Sequence, residues 1–63
     1  MILKFTDVTD PNYLLEVFQD QQNVTFQTTC SENKTTDVTI DKENLYDLIG
    51  VLLTIQAKLK GAR

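Results

Sequence analysis

The chain has 63 residues, of which 41% are hydrophobic, and sets six Lys and Arg against nine Asp and Glu for a net charge of −3. That length holds one small domain, residues 1–63, and excludes a two-lobed enzyme; a domain of this size buries only about 60% of the surface its unfolded chain exposes. No apolar run approaches the roughly 18 residues of a membrane span, and the opening Met1-Ile2-Leu3-Lys4-Phe5-Thr6-Asp7 lacks the layout of a signal peptide, so the expected location is the cytoplasm.

Residues 2–8 read as a first strand, with Leu3 and Phe5 on one face and Ile2, Lys4 and Thr6 on the other. Asp10-Pro11-Asn12 then breaks the chain, because Pro11 suits the second position of a turn and Asp and Asn side chains bond to nearby backbone. Residues 13–19 read as a second strand, with Tyr13, Leu15 and Val17 on one side and Leu14, Glu16 and Phe18 on the other. Asp10 before Pro11 is also a sound helix start, with Leu14, Val17 and Phe18 as an apolar face, so a βαββα order is the alternative for this segment. The polar link Asp20-Gln21-Gln22-Asn23 has hairpin length. Residues 24–30 alternate most cleanly, Val24, Phe26, Thr28 and Cys30 pointing one way and Thr25, Gln27 and Thr29 the other. Ser31-Glu32-Asn33-Lys34 is a turn, and residues 35–40 form a fourth strand with Val38 and Ile40 inward. Thr is concentrated before residue 41, as suits a half-exposed pleated surface.

Asp41 caps a helix predicted over about 42–60, with Glu43 and Asp47 near its positive end, Lys58, Lys60 and Arg63 near its negative end, and Gly61 as its C-terminal stop. The expected fold is therefore α+β: a four-stranded antiparallel β-meander followed by one long C-terminal α-helix packed on one sheet face, in the order ββββα.

That helix carries more apolar surface than one sheet needs. At 100° per residue, Leu45, Leu48, Ile49, Leu52, Ile55 and Leu59 form the stripe a sheet would cover, Tyr46, Leu53 and Ala57 extend it on one side, and Val51 extends it on the other. The apolar arc spans about 240°, against a little over 100° for an ordinary amphipathic helix. Gly50, in mid-helix, costs about 1 kcal/mol relative to Ala and calls for a reason. Each of Tyr46, Leu53 and Val51 would forgo roughly 1.5–3 kcal/mol of burial if left in water. Tyr46, Gly50, Leu53, Ala57 and Val51 are therefore the candidate oligomer interface, with a two-fold copy of the same helix as the simplest partner. Ile2, Leu14 and Phe18, on the sheet face away from Leu15 and Val17, form a second candidate contact patch.

Catalytic chemistry is poorly supplied. The chain has no His, Ser31 sits in a turn without a base, and Cys30, the lone cysteine, reads as a small inward hydrophobe rather than a nucleophile. Asp7 with Asp10 and Asp41 with Glu43 are explained by a strand end and a helix cap. Asp37-Val38-Thr39-Ile40-Asp41 lacks the Gly and Glu of a calcium loop, and no Gly-rich phosphate loop is present. The sequons at Asn23 and Asn33 are chance matches without a secretory route. No enzyme activity, cofactor or metal is expected.

Charge is uneven: residues 1–41 carry −5 and residues 42–63 carry +2. No basic stripe exists to release counterions from phosphates, so neither direct nucleic-acid binding nor a membrane partner is expected. Asp7, Asp10 and Glu16 are the candidate acidic partner surface. In size and composition, though not by any motif, the chain resembles accessory proteins of bacteriophages and mobile elements; in that case the cytoplasm is the host cell's. The function expected is a non-catalytic small binding protein, homo-oligomeric through its C-terminal helix, that masks or sequesters a partner, with a protein favoured over a small ligand. A structural subunit of a larger particle, a small-ligand (nucleotide) sponge and an acidic nucleic-acid mimic are the alternatives.

Overall fold

The computed structural model describes residues 2–61. It has four strands, β1 (Ile2–Thr6), β2 (Leu14–Asp20), β3 (Asn23–Thr29) and β4 (Thr35–Ile40), followed by one helix, α1 (Lys42–Gly61). The strands form one antiparallel sheet in the order β1-β2-β3-β4, so each hydrogen-bonds to the next in sequence. The α+β meander with a C-terminal helix is thus the fold, and residues 14–20 are strand, not helix.

Local chemistry sets the strand ends. β1 stops at Thr6, two residues earlier than the alternation suggests, because the Asp7 carboxylate accepts hydrogen bonds from both the Thr9 backbone N–H and the Thr9 hydroxyl, each at 2.7 Å. Val8, expected in the strand, is instead 99% exposed in that turn. The Thr9 bonds also hold the Asp7 carboxyl below the usual carboxylate range. Asp10-Pro11-Asn12-Tyr13 closes as anticipated: the Tyr13 N–H donates to the Asp10 carbonyl at 3.1 Å, and the Asn12 N–H donates to the Asp10 carboxylate at 3.0 Å. Asp20 pairs with Asn23 across a two-residue turn in which Gln21 adopts φ 58°. That left-handed conformation is unusual for Gln; its carbonyl accepts a bond from Gln19 Nε2 at 2.7 Å. Asn33, at φ 62°, completes the next hairpin, its N–H donating to the Cys30 carbonyl while the Cys30 N–H donates to the Lys34 carbonyl. Asn tolerates that conformation well.

Register sorts the side chains cleanly. Leu3, Val17, Phe26 and Val38 form one cross-strand row, with Phe5 and Leu15 beside it and Val24 opposite Ile40 at the other end, so these residues share one apolar face. The opposite face carries the rows Lys4–Glu16–Gln27–Asp37 and Thr6–Leu14–Thr29–Thr35. Ile2, Phe18, Thr25 and Thr39 lie in a third row on that polar face, where the Thr25 and Thr39 hydroxyls share a hydrogen bond at 2.9 Å.

The helix begins where the sequence places it. The Asn44 N–H donates to the Asp41 carboxylate at 2.9 Å, and the Leu45 N–H donates to the Asp41 carbonyl at 2.9 Å. Asp41→Ala is expected to destabilise the protein by about 1 kcal/mol, read as a lower urea midpoint with an unchanged slope. Gly61 belongs to the helix and is not its left-handed stop, since no glycine has a positive φ. Arg63, counted in the basic end of the helix, lies outside the described residues.

The helix packs on the sheet chiefly along β3. Leu45 and Leu48 are half-buried, and every residue from Ile49 to Gly61 is exposed. Among the described residues no hydrophobic side chain is buried; the single buried residue is Thr25, 4% exposed, on the polar face.

Candidate interaction surface

Two large apolar surfaces stand open. The first is the helix. Of the proposed interface residues, Tyr46 is 70% exposed and Leu53 60%, and Gly50, Val51 and Ala57 are exposed as well. On the helix Tyr46, Gly50, Leu53 and Ala57 share one side, while Val51 lies across the polar arc from them. The main stripe is uncovered too: Leu52, Ile55 and Leu59 were expected against the sheet, yet Leu59 is 69% exposed and the other two about half. The helix leaves the sheet after Leu48, and both stripes run on into open space.

The second surface is the apolar sheet face. On it Leu3, Phe5 and Val38 are exposed, while Leu15 and Val17, expected beneath the helix, are half-buried with Phe26. Val38, expected inward on β4, points to this face and is 60% exposed. Sequence reasoning missed this exposure by expecting the helix to lie against a sheet face along its whole length, whereas it is exposed from Ile49 onward. The signal was present in the lengths: a 20-residue helix is about 30 Å long, whereas four strands at about 4.8 Å spacing make a sheet well under 20 Å wide.

The second expected patch is smaller. Ile2 is paired with Phe18 on the polar face, while Leu14 is set apart from them by Glu16 on the same face of β2. The acidic trio does not gather into one surface either. Asp7 and Asp10 lie in the β1–β2 turn with their carboxylates engaged by Thr9 and Asn12, and Glu16 lies opposite Lys4 in the β1–β2 register.

Gly50 has no internal reason to be glycine. A Cβ built on it meets nothing within 4 Å, and its carbonyl accepts a bond from the Thr54 hydroxyl at 3.0 Å. In an isolated chain Gly50→Ala should therefore stabilise the helix by about 1 kcal/mol. Where another backbone approaches this turn, the added methyl group instead weakens association. Thermal melts at several protein concentrations separate the two, and we expect the stabilisation to be lost or reversed.

A depression of about 310 Å³ at the β1–β2 turn is lined by Phe5, Thr6, Asp7, Tyr13, Leu14, Leu15 and Thr28. Its one charged group is the Asp7 carboxylate, so a nucleotide's phosphates would meet a carboxylate and no cation. Among the described residues, no group of three or more His, Cys, Asp or Glu is placed to hold a metal ion, and no helix is long and apolar enough to cross a membrane.

The size of the chain expresses the same openness. Its accessible surface is 5532 Å², where a compact monomer of 7.2 kDa exposes about 4,100 Å². Its radius of gyration is 13.6 Å, where a compact chain of this length reaches about 11 Å. No protein-family model, no curated protein and no solved structure matches the chain.

Proposed function

We propose that the protein is a non-catalytic binding protein that pairs with a second copy of itself through its C-terminal helix and acts by masking or sequestering a partner molecule. The observation that carries this reading is the helix from Ile49 to Gly61, exposed along its whole length although Val51, Leu52, Leu53, Ile55 and Leu59 are apolar. Every hydrophobic side chain among the described residues is at least partly open, so the chain gains little stability from its own core. A self-complementary two-fold contact is the commonest way to enlarge such a core.

With the helix engaged in assembly, the polar sheet face is the surface left for a partner. It presents Thr6, Thr29 and Thr35 in one row and Asp37 beside them, a hydroxyl-rich, mildly acidic surface suited to hydrogen-bonding a protein. Binding by occupancy requires no catalytic group, in keeping with an accessory or inhibitor protein of the phage or mobile-element kind acting in the cytoplasm.

Sedimentation velocity is the test. Twice the 7.2 kDa chain mass at micromolar concentration is expected. A strict monomer at high micromolar concentration would overturn the reading, and a large closed or open-ended assembly would favour the structural-subunit alternative.

A further inference from the structure

The helix has two apolar stripes, and one partner helix covers only one of them. A helix–helix seam buries a stripe a little over 100° wide, whereas the apolar arc here spans about 240°. The seam through Tyr46, Leu53 and Ala57 leaves Leu52, Ile55 and Leu59 still facing solvent. Those three need an apolar surface of a different kind, and their own sheet lies behind the point where the helix departs.

We propose that Leu52, Ile55 and Leu59 of one copy seat on the apolar sheet face of the second copy, formed by Leu3, Phe5, Leu15, Val17, Phe26 and Val38, and that the exchange is reciprocal. This rests on the self-pairing proposed above and specifies its geometry. One two-fold operation then covers both open surfaces. A helix-only contact leaves the sheet face in water, and a sheet-on-sheet contact leaves the helix in water.

The area left open supports the second copy as occupant. The surface in excess of a compact monomer is about 1,400 Å² per chain, so a pair would bury about 2,800 Å², within the range of permanent homodimers.

The test is photo-crosslinking between isotopically distinct copies. In a Cys30→Ser background, Leu52→Cys or Leu59→Cys carries a benzophenone and is mixed with unlabelled heavy-isotope chain. Mass spectrometry then locates the inter-copy adducts. Adducts on β1, β2 and β4 at the apolar face, with a dimeric mass, are expected. A dimeric mass with adducts confined to the partner helix overturns the exchange while leaving self-pairing intact. A monomeric mass removes both. Val38→Glu provides a second readout without a label. Its site is exposed in the single chain, so an effect on mass reports the contact; we expect self-association about thirtyfold weaker, and an unchanged dissociation constant contradicts the seat on the sheet.

Discussion

Leu53→Asp is expected to weaken self-association by about a hundredfold, or roughly 3 kcal/mol, the effect of placing a charge in the centre of an apolar interface. The prediction is sharp because the single chain gives the opposite expectation. Leu53 is 60% exposed, and at an open helix position the change from Leu to Asp costs less than about 1 kcal/mol through propensity alone. Sedimentation equilibrium measures the association, and circular dichroism of the same samples reports whether helix is retained. A variant with wild-type mass moves the contact off this stripe. Leu53 is also a better probe than Leu45 or Leu48, which are half-buried against the sheet and would lose intramolecular packing on substitution.

The second large effect concerns dilution. A subunit with no buried hydrophobic side chain among its described residues has little stability apart from its assembly, and the stability of an obligate pair depends on protomer concentration. Each tenfold dilution should remove about 1.4 kcal/mol from the apparent stability and lower the melting temperature by on the order of 5 °C. A series of melts from low to high micromolar concentration checks this, and a melting temperature that does not move would mark a self-sufficient monomer.

What the sequence disclosed were the features set by near neighbours. Pro11 between Asp10 and Asn12, Asn33 in the third turn and Asp41 before the helix each act within about four residues, and each works as its chemistry indicates. The alternation through Val24, Phe26 and Thr28 assigned faces correctly, because a strand's side-chain period is fixed by its backbone. The course of the helix was not legible in the same way. The spacing of Leu45, Leu48 and Leu52 defines one stripe but says nothing about how far a sheet extends beneath it. Leu48 is half-buried and Leu52 exposed, one turn apart on the same stripe. The candidate interface residues were proposed from an excess of apolar arc, which is local information. The apolar sheet face was missed because its exposure depends on where another element goes. The end of β1 was missed for a smaller reason: Asp7 and Thr9 form a turn of their own, and Val8 between them reads as one more apolar strand residue.

The order of the sheet has a kinetic consequence. Since β1, β2, β3 and β4 each pair with their neighbour in sequence, every hairpin closes a short loop and forms on the microsecond scale. With the self-pairing proposed above, the slow step is the meeting of two chains, so refolding should follow second-order kinetics, with a half-time inversely proportional to protein concentration. β1 and β4 are the sheet's free edges, and Lys4 on one and Asp37 on the other set like charges together where two β1 or two β4 edges meet, which discourages such stacking. Removing them would leave the native contacts nearly untouched and shift the competition between productive encounter and aggregation.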